Sequence, residues 1–104
     1  MTTSRYRLVI RPEARAEVAE AAKWYDAREQ GLGRDFLRAF RAGTDVLRRN
    51  PFLYQIVFED MRRVLLRRFP YGVFYEIHGS DVVVLGCMHE ARDPEVWQKR
   101  ASHR

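Results

Sequence analysis

The spacing of apolar residues changes twice along the chain. Tyr6-Arg7-Leu8-Val9-Ile10 is rich in β-formers and stops at Arg11-Pro12, which predicts a first strand. Pro12 and Glu13 then suit the opening turn of a helix, where a missing N–H is harmless and a carboxylate meets the positive end of the dipole. Ala14, Val18, Ala21, Ala22 and Tyr25 follow on one helical stripe, whose small alanines let another element approach closely. Gly31-Leu32-Gly33 breaks the period with permissive backbone. Phe36, Leu37, Phe40 and Leu47 restart it, and Asn50-Pro51 ends it, because proline disfavours helix at the residue before it. Two helices joined by so short a turn form an antiparallel hairpin.

Beyond Pro51 the period shortens. Tyr54-Gln55-Ile56-Val57-Phe58 reads as extended, and Glu59-Asp60 supplies a polar turn. Arg63, Leu65, Arg67 and Phe69 then alternate with Arg62, Val64, Leu66 and Arg68, so basic and apolar side chains share the next predicted strand. Pro70 interrupts it, Val73-Phe74-Tyr75-Glu76-Ile77-His78 resumes, and Gly79-Ser80-Asp81 makes a hairpin turn. Val82-Val83-Val84-Leu85-Gly86-Cys87-Met88 is apolar throughout, as a central strand covered by the helices would be. Glu95-Val96-Trp97-Gln98-Lys99-Arg100 supplies a last helical turn. The order predicts a single α+β domain over residues 1–104, with an N-terminal strand and an antiparallel two-helix hairpin on one face of a curled, mostly antiparallel sheet. The opposite face is expected to stay open and to carry the alternating arginines and aromatics. Trp24, Tyr25 and Tyr75 are expected in the core, Tyr71 at an edge, and Cys87 as a small buried hydrophobe.

Composition narrows the chemistry. Lys+Arg is 19 against Asp+Glu 14, a net charge of +5, and all but Lys23 and Lys99 of the basic residues are arginines. Arginine offers a flat fork that matches phosphate and carboxylate. Arg62, Arg63, Arg67 and Arg68 fall in a stretch without an acid, whereas the helical region mixes both signs. Cys87 is the single cysteine, so no internal disulfide or cysteine-based zinc site is expected. His78, His89 and His103 have no metal-ligand spacing, and Ser4, Ser80 and Ser102 sit at termini or a turn rather than in a nucleophile arrangement. No phosphate-binding glycine loop is present, and neither metal nor cofactor is expected. No apolar run approaches a membrane span and the N-terminus does not read as a secretory signal, so a cytoplasmic protein is expected.

Five groups of residues carry a family resemblance. They are Val9-Ile10-Arg11-Pro12-Glu13-Ala14, Ala22-Lys23-Trp24-Tyr25, Gly31-Leu32-Gly33 before Phe36-Leu37, Arg67-Arg68-Phe69-Pro70-Tyr71 with Val73-Phe74-Tyr75-Glu76-Ile77, and His89-Glu90-Ala91-Arg92-Asp93-Pro94 before Trp97. In this order and spacing the chain closely resembles the RelE/ParE superfamily of bacterial toxins from type II toxin–antitoxin modules, also called plasmid stabilisation proteins. The resemblance implies the α+β fold and growth inhibition until a cognate antitoxin, whose C-terminal segment wraps the toxin, neutralises it. A hetero-oligomer with that antitoxin is implied as well.

The superfamily divides over its target. RelE-like members are ribosome-dependent mRNA interferases, and cleavage needs a group to activate the ribose 2′-OH, cations for the phosphorane and an acid for the leaving oxygen. ParE-like members lack that set and poison DNA gyrase. Carried onto this chain, one basic position falls at Arg63, the next at Leu65, a third at Gly72, the C-terminal tyrosine position near Trp97, and the last arginine near Arg92. His89 is placed to replace the missing acid or base. Several roles are therefore vacant, which favours the ParE-like target. The RelE-like nuclease, with His89, Arg92 and Arg63 as catalytic residues, is the alternative, and a degenerate member retaining only antitoxin binding is a third. Arg62, Arg63, Arg67, Arg68, Tyr71 and Trp97 are the candidates for binding target or antitoxin. Each has a plainer alternative: the arginines as partners of acids, His89 as a group that positions Arg92 or Asp93, Arg92-Asp93 as an internal ion pair, and Trp97 as a core or groove-lining aromatic.

Overall fold

The structure, a computed structural model, describes residues 5–102, so Ser4 and His103 lie outside the described residues. Strand β1 (Arg7–Ile10) leads directly into helix α1 (Pro12–Arg28), which a short turn connects to helix α2 (Leu32–Arg49). A single 3-10 turn at Pro51–Leu53 precedes strands β2 (Ile56–Phe58), β3 (Met61–Leu65), β4 (Tyr71–His78) and β5 (Asp81–His89), and helix α3 (Pro94–Gln98) follows. The five strands form one open sheet in the order β1-β5-β4-β3-β2. β1 runs parallel to β5, with Leu8 opposite Val82 and Ile10 opposite Val84, and the other neighbours are antiparallel.

The hairpin closes because two glycines meet α1. A Cβ at Gly33 would lie 2.5 Å from the Ala22 carbonyl oxygen, so only glycine allows this approach. The Asp26 carboxylate accepts from the N–H groups of Gly31 and Gly33, satisfying donors that the start of α2 would otherwise leave unpaired. Below the hairpin, Ala14, Val18, Phe36, Phe40 and Leu47 pack with Val64, Val73, Tyr75, Val82 and Val84 into the main core. Tyr75 is fully buried and donates its hydroxyl to the Pro51 carbonyl at 2.6 Å, tying β4 to the 3-10 turn.

Several expectations are corrected. The opposite face of the sheet is not left open. Met61, Phe74, Val83, Leu85 and Met88 form a second core there, closed by Trp97 of α3, whose ring stacks on Phe74 at 4.5 Å. The alternating strand from Arg62 to Phe69 stops at Leu65, because Arg68 adopts φ 73° and the chain turns before Pro70. Tyr71 is not at an edge, since β4 lies between β5 and β3. Its ring packs among Tyr25 and Phe36. Trp24 is 51% exposed, on the flank of α1 beside the buried stripe rather than in the core.

Candidate functional site

The four clustered arginines do not share a surface. Arg62 faces the helices, where its guanidinium donates to the Tyr54 carbonyl at 2.6 Å and lies over the Phe52 ring. Arg63 points to the other face, and its stem runs so close to Gly72 that a Cβ there would meet Arg63 Cγ and Cδ at 3.1 and 3.0 Å. A side chain at position 72 would displace the arginine that the same surface retains. Arg67 and Arg68 leave the strand for the turn, where Arg68 reaches Asp35 at 3.5 Å and Arg38 approaches the same carboxylate at 3.7 Å. Three guanidinium groups around a single acid form a small basic patch at the start of α2, beside Phe69.

A different group of predicted residues does come together. Tyr71 and His89 sit opposite each other on β4 and β5, with their rings edge to face at 5.3 Å. Together with Arg92 they line a cleft of about 460 Å³ between α1 and the end of β5. Its α1 wall is Glu17, Glu20, Ala21, Trp24 and Tyr25. His89 is exposed, and its Nδ1 accepts from the Ala91 N–H, which fixes the ring at the strand end. Burial raises the Tyr71 hydroxyl above the usual phenol range, helped by Tyr25 and Cys87 and partly opposed by Arg92. Burial also pushes the Cys87 thiol up to about 12, with Glu17 adding to the effect, so it remains a neutral hydrophobe.

Among the described residues Arg92 and Asp93 do not form the internal ion pair that was the plainer alternative for them. Asp93 instead accepts from the Glu95 N–H and caps α3. Trp97, a candidate contact for a partner, is buried to 9% exposure in the second core. Sequence reasoning missed Glu17, Glu20 and Trp24, although their i, i+3, i+7 spacing places them on one side of α1 next to the apolar stripe. It also missed Arg100, whose guanidinium makes two bonds to Glu17 and one to the Leu85 carbonyl. Glu17 further accepts from the Cys87 N–H. This pair satisfies the edge of β5 where β1 has already turned away. Among the described residues no three potential metal-ligating side chains gather, and no helix is long and apolar enough to cross a membrane.

A helical hairpin on one side of an unclosed sheet, with its N-terminal strand parallel to the last, is the RelE/ParE-like fold that the sequence resemblance implied. The family model described as the ParE toxin of type II toxin–antitoxin system, parDE, matches residues 8–94, and the chain belongs to that family. Its structure is similar to one from the chromosomal ParDE toxin–antitoxin system of P. aeruginosa, at a TM-score of 0.73 and 12% identity, covering 81% of this chain and 95% of that one. A comparison with curated protein sequences finds no match.

Proposed function

We propose that this chain is a cytoplasmic toxin that a cognate antitoxin holds inactive and that, once free, poisons DNA gyrase. The observation that carries the choice of target is the division of the RNA-cleaving set between the two faces of the sheet. Arg63, Leu65 and the empty position at Gly72 lie on the face away from the helices, whereas His89 lines the cleft beside α1. Trp97, at the tyrosine position, is buried and carries no proton that titrates near neutrality. In-line cleavage needs cations and proton-transfer groups around one phosphate, and groups on opposite sides of a sheet cannot surround it.

Antitoxin binding is supported by a second groove, of about 660 Å³, along the hairpin and β1. Leu8, Ile10, Val18, Leu37 and Phe40 give it an apolar floor, and Arg15, Lys23, Arg41 and Arg48 surround it with Asp45 as the one acid. Among the described residues the buried Arg48 Nε has no hydrogen-bond partner. An acidic amphipathic segment that folds on binding has the matching chemistry.

One observation favours the alternative nuclease: Tyr71, His89 and Arg92 share a cleft. Induced expression followed by two readouts separates the readings. Stalled gyrase–DNA complexes without ribosome-dependent mRNA cuts are expected, and His89→Ala is expected to keep growth inhibition. Primer-extension stops within translated messages, lost in His89→Ala, would replace the gyrase reading with the nuclease. Absence of any growth defect would leave an antitoxin-binding protein without a toxic activity.

A further inference from the structure

We infer that the arginines where α2 meets the turn between β3 and β4 dock the phosphate backbone of duplex DNA. Two elements assemble the site. Arg34 and Arg38 lie one turn apart on α2, both exposed, and Arg67 and Arg68 come from the turn beyond β3. Arg38, Arg67 and Arg68 line one recess of about 500 Å³ with Asp35, Ala39 and Phe69. The two elements are fixed to each other by Phe69, which is buried in the main core with its ring 5.2 Å from that of Phe36 on α2. Arg68 holds a left-handed backbone at φ 73°, which costs energy for any residue with a side chain and is found where a site requires it. In that conformation its guanidinium lies 5.3 Å from the Phe69 ring centroid and 3.5 Å from Asp35.

The charge of the recess is unbalanced. Asp35 is the acid that lines it, and it stands 3.7 Å from Arg38 and 3.5 Å from Arg68. Both distances exceed the ~2.8 Å of a tight charge-assisted hydrogen bond. Among the described residues Arg34 and Arg67 form no ion pair at all. The side chains of Arg38 and Arg68 remain 68% and 63% exposed. A preformed group of guanidinium forks with so little carboxylate between them lacks an anion, and a phosphodiester presents two oxygens that match a fork.

The covered aromatic selects a duplex. Proteins that bind single strands without sequence preference add exposed rings on which bases stack. Phe69 is the aromatic residue of the recess, and at 6% exposure it offers no face to a base. The patch therefore suits phosphates whose bases are already stacked on one another, and phosphate contacts position a protein without reading sequence. The inference deepens the gyrase reading and rests on it for the source of the duplex, the DNA that the enzyme holds.

Fluorescence anisotropy of a short labelled DNA duplex, titrated with the full chain in the absence of gyrase, tests it. The logarithm of affinity is expected to fall against that of salt with a slope of about −3, and equally for a duplex of unrelated sequence. Arg38→Gln combined with Arg67→Gln should reduce the slope by about two and weaken binding at low salt by about tenfold. Arg11→Gln with Arg49→Gln removes the same charge from exposed positions outside the recess and should leave the slope unchanged. Asp35→Asn should tighten binding about threefold, a change of sign that damage to the recess could not give. No binding by wild-type protein, equal losses in the two double variants, or tighter binding to a single strand or an RNA duplex would each overturn the inference. Stalled complexes in cells decide the gyrase reading separately, so the failure of one is distinguishable from the failure of the other.

Discussion

Glu76 is buried to 1% exposure in the middle of β4, a position where a carboxylate is normally costly. Burial alone would raise its pKa. Hydrogen bonds from the Ser102 hydroxyl and N–H, with His78 at 2.8 Å, outweigh that effect and hold it below its ordinary value of 4.5. A carboxylate whose pKa is lower in the folded state stabilises the fold above its unfolded pKa, and the contribution is lost as pH falls through the folded value. Wild-type protein is therefore expected to lose stability more steeply than Glu76→Gln as pH drops below 4.5. At neutral pH the substitution should cost about 1–3 kcal/mol, because the donors from the tail lose a charged acceptor. Urea unfolding at a series of pH values measures both effects, and parallel curves for the two proteins would contradict the assignment. The same contacts anchor the segment that follows α3, since Ser102 lies four residues beyond the helix end.

Helix α3 has five residues, too few to be stable alone. It is held by one aromatic contact, Trp97 on Phe74, and by the Arg100–Glu17 pair at 2.7 Å just beyond it. Trp97→Ala should therefore destabilise the protein by about 3–5 kcal/mol and uncover Phe74, Leu85 and Met88. A fall in thermal midpoint together with increased binding of an apolar dye would be the signature. An unchanged midpoint would mean that the second core does not depend on α3. At the hairpin the governing contact is between backbones: Gly33→Ala places a methyl 2.5 Å from the Ala22 carbonyl oxygen and must push α2 off α1. Its cost is expected at about 1–3 kcal/mol by the same unfolding measurement.

Across the whole molecule, charge is distributed by face. The net charge of +5 is expressed as a basic surround to the hairpin groove and as the patch of Arg38, Arg67 and Arg68 around Asp35. Association with an acidic antitoxin, under the function proposed above, should accordingly slow by about tenfold as salt is raised from low to physiological strength. Stopped-flow mixing gives the rate, and a salt-independent rate would place the contact away from these surfaces. The sheet also separates groups that lie close in the chain. Arg62 and Arg63 are adjacent in sequence, yet one braces the 3-10 turn on the helix side and the other covers Gly72 on the far side.

Periodicity by itself determined the two helices, the strand before them and the meander after them. The apolar stripe from Ala14 to Tyr25 and the run from Val82 to Met88 can bury their side chains in few other ways. Local spacing also contained the α1 wall of the cleft, in Glu17, Glu20 and Trp24, although nothing local showed what would stand opposite. Only the tertiary structure decided where β3 ends, because a left-handed turn at Arg68 leaves no glycine to announce it. It alone decided that Trp97 covers the second face, and that Tyr71, His89 and Arg92 line one cleft while Arg63 lies outside it. The reason is physical. Side-chain alternation is a local property, whereas which face each element finally covers depends on pairing between strands far apart in the chain.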